Sequence, residues 1–140
     1  MPAVSPHPLP ALFSHPVRVY WEDTDAGGVV FYANYLKYFE RARTEWLRSL
    51  GLSQQALRER AGVIFVVTDA RTGYRAPARL DDLVDVSVRL AARSAVTLTL
   101  AQEARRGDRL LAEGEIRIAC VNAETFLPCR LPLEITRQIP

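Results

Sequence analysis

The sequence predicts an α+β domain in which an antiparallel sheet carries one long helix on its concave face. Two observations lead there. A single stretch of helical periodicity lies between residues 35 and 50, and apolar runs of strand texture follow from Val63 onward. The chain's 140 residues suit one such domain and leave little room for a second.

Val17-Arg18-Val19-Tyr20-Trp21 is β-branched and aromatic and reads as the first strand. Glu22 to Gly28 is turn-forming and ends it. Tyr35, Phe39, Ala42, Trp46 and Leu50 then recur at spacings of three and four, with Leu36 and Leu47 widening the stripe. Lys37, Arg41, Glu45 and Arg48 occupy the other face, Arg41 and Glu45 at i,i+4. Gly51 is a natural stop. Ser53–Ala61 reads as a short second helix capped by Ser53. Strands are expected over Val63–Thr68, continuing toward Tyr74, and over Leu83–Leu90, Val96–Ala104 and Leu110–Val121, with Arg106-Gly107-Asp108-Arg109 as a hairpin turn. Long consecutive strands with short connections imply an antiparallel meander.

Composition removes several classes of function. Lysine and arginine total 18 against 16 acids, a net charge of +2, and the arginines are scattered, so a charge-driven nucleic-acid binder is not favoured. No apolar stretch approaches the roughly 20 residues that span a bilayer. Cys120 and Cys129 form no CxxC, Cys120 reads as a core strand residue, and the usual metal ligands do not cluster. Residues 1–16 hold no charged side chain and are broken by five prolines. They read as a flexible tail and lack the positive start and unbroken apolar run of a signal peptide. A cytoplasmic protein with its folded domain over residues 17–140 is expected.

Histidine restricts the chemistry further. His7 and His15 are the only two, and both precede the expected first strand. A Ser–His or Cys–His nucleophilic site is therefore disfavoured, and carboxylates with backbone dipoles must do the work. Asp23 and Asp25 lie between the first strand and the long helix, followed by Gly27 and Gly28. A helix start offers unpaired N–H groups and partial positive charge, able to stabilise an oxyanion on a thioester carbonyl. An aspartate beside it can activate water or attack the carbonyl itself. The competing reading is structural: either aspartate could cap the helix or close an Asx-turn. A calcium loop fails on spacing, because its twelfth position would be Asn34 in place of Glu.

The stretch Tyr20-Trp21-Glu22-Asp23-Thr24-Asp25-Ala26-Gly27-Gly28-Val29-Val30-Phe31-Tyr32-Ala33-Asn34-Tyr35 resembles the signature of the hydroxybenzoyl-CoA thioesterase branch of hot-dog proteins. Phe39–Glu45, Ser53–Leu57 and Ala76–Asp82 are similar to the Tol–Pal-associated bacterial acyl-CoA thioesterases within that branch. The likeness runs from Pro16 to about Pro132. It implies a hot-dog fold, dimers or tetramers of dimers with active sites at the subunit interface, and hydrolysis of acyl-CoA thioesters without a cofactor. It places the catalytic carboxylate on Asp25 and the oxyanion donor on the backbone N–H of Tyr32. Many Tol–Pal-associated members carry histidine where this chain has Tyr32, followed by Ala-Ser instead of Ala33-Asn34. That exchange leaves a backbone donor intact and bears on substrate preference.

Arg93 and Ser94 fall at a predicted turn where the family tends to place groups that meet the CoA phosphates. Arg75, Arg79 and Arg130 are further candidates of that kind, and an exposed hairpin arginine is the competing reading. Asp23 reads as structural, Asn34 as a cap or first-turn residue, Phe39 and Trp46 as core, and Glu40 as an ordinary helix charge. Two alternatives to an acyl-CoA substrate stand beside the leading one. The thioester could be borne on acyl carrier protein, or the chain could bind acyl thioesters without turnover; Asp25 speaks against the second. A hydratase is disfavoured because such hot-dog enzymes use a histidine.

Overall fold

A computed structural model describes residues 12–139. In chain order it holds β1 (Phe13–Arg18), a 3-10 turn (Trp21–Asp23), α1 (Asn34–Ser49), α2 (Gln54–Ala61), β2 (Val63–Tyr74), β3 (Leu83–Arg93), β4 (Thr97–Arg106), β5 (Arg109–Asn122) and α3 (Leu133–Thr136). The strands form one antiparallel sheet in the order β1-β3-β4-β5-β2. The expected α+β architecture is present.

The two sides of the sheet differ because the strands alternate. Val84, Val86 and Val88 of β3, Leu98 and Leu100 of β4, and Ile116 and Ile118 of β5 are buried against the helix. Asp85, Arg89, Glu115 and Arg117 face outward. From α1 the core takes Tyr35, Tyr38, Phe39, Ala42, Trp46 and Leu47. Phe39 lies so close to Gly114 that a Cβ there would sit 2.8 Å from its ring. Gly114 is thus the gap in β5 through which the helix reaches the sheet.

Several expectations need correction. The first strand runs over Phe13–Arg18 instead of residues 17–21, and Tyr20-Trp21 enter the 3-10 turn. Pro16, read as part of the tail, pairs opposite Asp85 in β1. An edge strand tolerates proline, since one side of its backbone needs no ladder partner. His15 is likewise inside β1, opposite Val86. Residues 1–11 of the expected tail, His7 among them, lie outside the described residues. The meander holds only for β3, β4 and β5: β2 pairs with β5, not β3. The crossing from β2 to β3 passes the entrance to the helix, where Ala78 O accepts from Val30 N at 2.9 Å.

On α1, Leu36 is exposed and Arg43 is buried, so the apolar stripe turns toward Tyr38 and Arg43. Glu45 pairs with Arg48 rather than Arg41. The short helix forms as read: Ser53 Oγ accepts from Ala56 N at 3.1 Å, and Gly62 closes it in the left-handed conformation.

Candidate active site

The loop between the 3-10 turn and α1 is built around Asp23. Its carboxylate accepts from Tyr20 N at 2.8 Å and caps the turn. Its carbonyl accepts from Phe31 N and from Asn34 Nδ2, each at 2.9 Å. Asn34 therefore does not cap α1 with its side chain; it opens the helix and reaches back to the base of the loop. The Tyr38 hydroxyl is buried without a well-aligned partner. Burial, and then the Asp23 carboxylate, push its pKa up, so it stays protonated.

Between Asp23 and Phe31 the chain makes a tight reversal, with Thr24 bridged to Val30 and Asp25 N donating to Val29 O at 2.9 Å. Gly28 takes a φ of 78°, which a side chain would resist. Asp25 is exposed, and its Oδ1 accepts from Gly27 N at 2.8 Å. The structural reading of Asp25 is thus correct for one oxygen, which closes an Asx-turn. The other, Oδ2, accepts no protein hydrogen bond among the described residues.

The chain then enters α1 through Tyr32 and Ala33, whose N–H groups donate to no protein acceptor among the described residues. Their peptide planes are nonetheless held. Phe31 O accepts from Asn34 N at 2.9 Å, and Tyr32 O accepts from the Tyr74 hydroxyl at 3.0 Å. In a trans peptide a fixed carbonyl fixes the N–H that follows it. Burial, and then Tyr32, raise the Tyr74 pKa and keep that hydroxyl a donor. The Tyr32 ring is 62% exposed and meets Phe31 and Tyr74 at centroid distances of 4.8 and 6.0 Å. A free carboxylate oxygen and two unengaged N–H groups at a helix start thus share one short loop. Such a set can activate a nucleophile and stabilise an oxyanion.

Arg93 and Ser94 lie elsewhere, at the β3–β4 turn. The Ser94 hydroxyl accepts from Val96 N and Thr97 N at 3.2 and 3.0 Å and bonds to Thr97 Oγ1, so it is committed to the turn. Arg93 is exposed and lines a groove with Arg130, Leu131 and Leu133 that includes neither Asp25 nor Tyr32. Arg75 pairs with Glu113 at 2.6 Å, whereas Arg79 meets Asp82 at 2.8 Å through its backbone N–H and not through its guanidinium. His15 shares a concavity with Arg18, Asp23 and Arg41, which Asp25 does not line. A concavity of about 540 Å³ on the outer sheet face, between Arg71, Arg89 and Glu113, is also lined by neither Asp25 nor Tyr32. Among the described residues no His, Cys, Asp or Glu cluster could hold a metal ion.

Sequence reasoning missed Tyr74 and the reach of Asn34. Tyr74 is 42 positions from its partner Tyr32 and ends a strand, so nothing local announced the contact. Asn34 did have a signal, its place at the helix start, but its acceptor lies 11 residues upstream.

The fold and this loop define a hot-dog protein of the thioesterase kind. Residues 19–139 match the Thioesterase-like superfamily, and the chain belongs to it. It is 43% identical over 123 residues to "Acyl-CoA thioesterase YbgC" of Haemophilus influenzae, covering 88% of this chain and 90% of that one. It is equally identical over 128 residues to "Acyl-CoA thioester hydrolase YbgC" of Escherichia coli O6:H1, covering 91% and 95%. The solved structure of a probable thioesterase from Bartonella henselae superposes with a TM-score of 0.82 at 33% identity, over 87% of this chain and 100% of that one.

Proposed function

We propose that this chain hydrolyses acyl-CoA thioesters to free acid and CoA, with Asp25 as catalytic carboxylate and the Tyr32 N–H as oxyanion donor. The observation that carries the reading is the pairing, in one loop, of the unengaged Asp25 Oδ2 with unengaged N–H groups entering α1. The family of the chain and its YbgC relatives supply the reaction class.

In the general-base route Asp25 takes a proton from water as the water oxygen bonds to the thioester carbon. The carbonyl becomes an oxyanion facing the Tyr32 N–H, with the Ala33 N–H beside it. Collapse of the intermediate breaks the C–S bond, and the CoA thiolate leaves and takes up a proton. In the nucleophilic route Oδ2 attacks the carbon itself, and water then hydrolyses the mixed anhydride and restores the carboxylate. Because the donors are main-chain groups, tyrosine at position 32 serves them as well as histidine would. Its exposed ring, with Phe31 and Tyr74, offers an apolar wall to the acyl group.

Arg93, with Arg130, is the proposed contact for the CoA phosphates, and Ser94 serves by holding the turn that presents it. The enzyme works as a homodimer, or a tetramer built from dimers, joined along the free edge of β2. That strand pairs only with β5 among the described strands and leaves Val67 and Tyr74 exposed. Tyr74 touches the Tyr32 carbonyl, so this edge adjoins the site. No helix among the described residues is long and apolar enough to cross a membrane. A cytoplasmic setting agrees with two cysteines that are both free thiols.

The test measures thiol release from short, long and aromatic acyl-CoAs by wild type and Asp25→Asn. Loss of a general acid–base group costs about 10²–10⁴-fold. A drop of that size in a folded variant is expected, while equal rates would remove Asp25 from the mechanism. If wild type ignores every CoA ester but cleaves an acyl-carrier-protein thioester, the carrier protein is the substrate.

A further inference from the structure

We infer that Asn34 is a positioning residue: its side-chain amide fixes the Asp25 loop against the start of α1 and so sets the carboxylate relative to the oxyanion donors. This rests on the catalytic reading of Asp25 given above.

The two halves of the proposed site lie on different pieces of structure. Asp25 hangs in the reversal between Asp23 and Phe31, while the Tyr32 and Ala33 N–H groups belong to the entry of a buried helix. Main-chain bonds close the loop through Phe31 N to Asp23 O and Asp25 N to Val29 O and tie Val30 N to Ala78 O, each at 2.9 Å. None of these three donors belongs to α1. Asn34 Nδ2 to the same Asp23 carbonyl, also at 2.9 Å, adds a direct side-chain tie from inside the first helical turn. Only the amide nitrogen can donate to a carbonyl, so the orientation of the amide follows from the bond.

The anchor itself cannot drift. Asp23 is buried, its carboxylate is tied to Tyr20 N, and the buried Tyr38 ring of α1 packs in the core beneath the loop. Two donors converging on one carbonyl of a fixed residue make a three-way junction between the 3-10 turn, the loop and the helix. An ordinary first-turn asparagine would instead turn its side chain to water or to its own helix. Displacements near 1 Å at a reacting centre cost on the order of 10²-fold in rate. A single well-placed hydrogen bond can therefore matter far more to turnover than to stability.

The experiment compares wild type, Asn34→Ala, Asn34→Gln, Asp25→Asn and the Asp25→Asn/Asn34→Ala double variant, with melting temperature measured on each. Alanine is a good helix former and carries no charge, so the first variant is expected to fold. In Asn34→Ala, kcat should fall roughly 10- to 100-fold with KM for the acyl-CoA nearly unchanged, because the amide moves the reacting groups and does not hold substrate. Asn34→Gln, which keeps a donor on a longer arm, should recover part of the loss. The double variant should be no slower than Asp25→Asn alone, since a misplaced carboxylate and a missing one are the same defect. Multiplying losses in the double variant would overturn the inference. So would a full wild-type kcat in Asn34→Ala beside an inactive Asp25→Asn, and that result would leave the Asp25 assignment standing. Wild-type rates in Asp25→Asn would sink the catalytic assignment itself.

Discussion

Asp82 ties three segments together through one residue. Its Oδ2 accepts from Arg79 N and from Arg106, both at 2.8 Å, and its carbonyl accepts from Val19 N. Burial alone would raise its pKa, but the Arg79 N–H and the Arg106 guanidinium outweigh burial and hold the carboxyl below its ordinary 3.8. A carboxyl with a lowered folded pKa adds stability above its unfolded pKa and loses it as pH falls through the folded value. Asp82→Asn is therefore expected to cost about 1 kcal/mol at neutral pH, with the gap to wild type closing as the pH drops below about 4. Urea melts at both pH values check it; a gap that persists in acid would mean the ion pair is not its source. Asp25 was legible at this scale because turn chemistry is local: Asp and Gly at close spacing announce the reversal. Arg43 was not. It interrupts an apolar helix face at 8% exposure, and its Gln102 partner is 59 residues away. Burial lowers its pKa while the nearby Glu40 opposes that.

Helix α1 and strand β5 meet where neither could have been matched to the other from sequence periodicity. The helix was readable from its 3.6-residue stripe, and β5 from its strand texture, but their docking depends on Gly114 facing Phe39. Gly114→Ala would place a methyl 2.8 Å from the Phe39 ring and 3.2 Å from the Arg71 carbonyl. Overpacking of this kind typically costs about 1–3 kcal/mol, and the midpoint of chemical unfolding should fall accordingly. An unchanged midpoint would show that Phe39 can swing aside freely. The Gln102 amide stitches the same layer, donating to Phe39 O at 3.0 Å and to Ser87 O at 3.4 Å while accepting from Arg43. A glutamine in an alternating strand gives no hint of this, because the acceptors it satisfies are main-chain atoms on other elements.

For the molecule as a whole, the sheet order leaves β1 and β2 at its edges. The β1 edge is short and carries Pro16, which blocks pairing; the β2 edge runs over 12 residues with Val67 exposed midway. If copies join along β2, Val67→Lys should weaken assembly, and activity should fall with it as Tyr74 and the helix entry lose their neighbour. Sedimentation at several concentrations measures the first, and thiol release the second. A Val67→Lys protein that stays fully associated would place the interface elsewhere.

The order of helix and strands, the reversal before α1, the Ser53 cap and the candidacy of Asp25 were determined by the sequence itself, because propensity, periodicity and turn chemistry act over a few residues. Tertiary structure decided which strands became neighbours. It made Pro16 an edge residue, brought Tyr74 to the Tyr32 carbonyl and turned Asn34 toward Asp23. Those outcomes depend on burying the face of one element against another, and on finding partners for polar groups that burial cuts off from water. Neither condition is met within any single stretch of the chain.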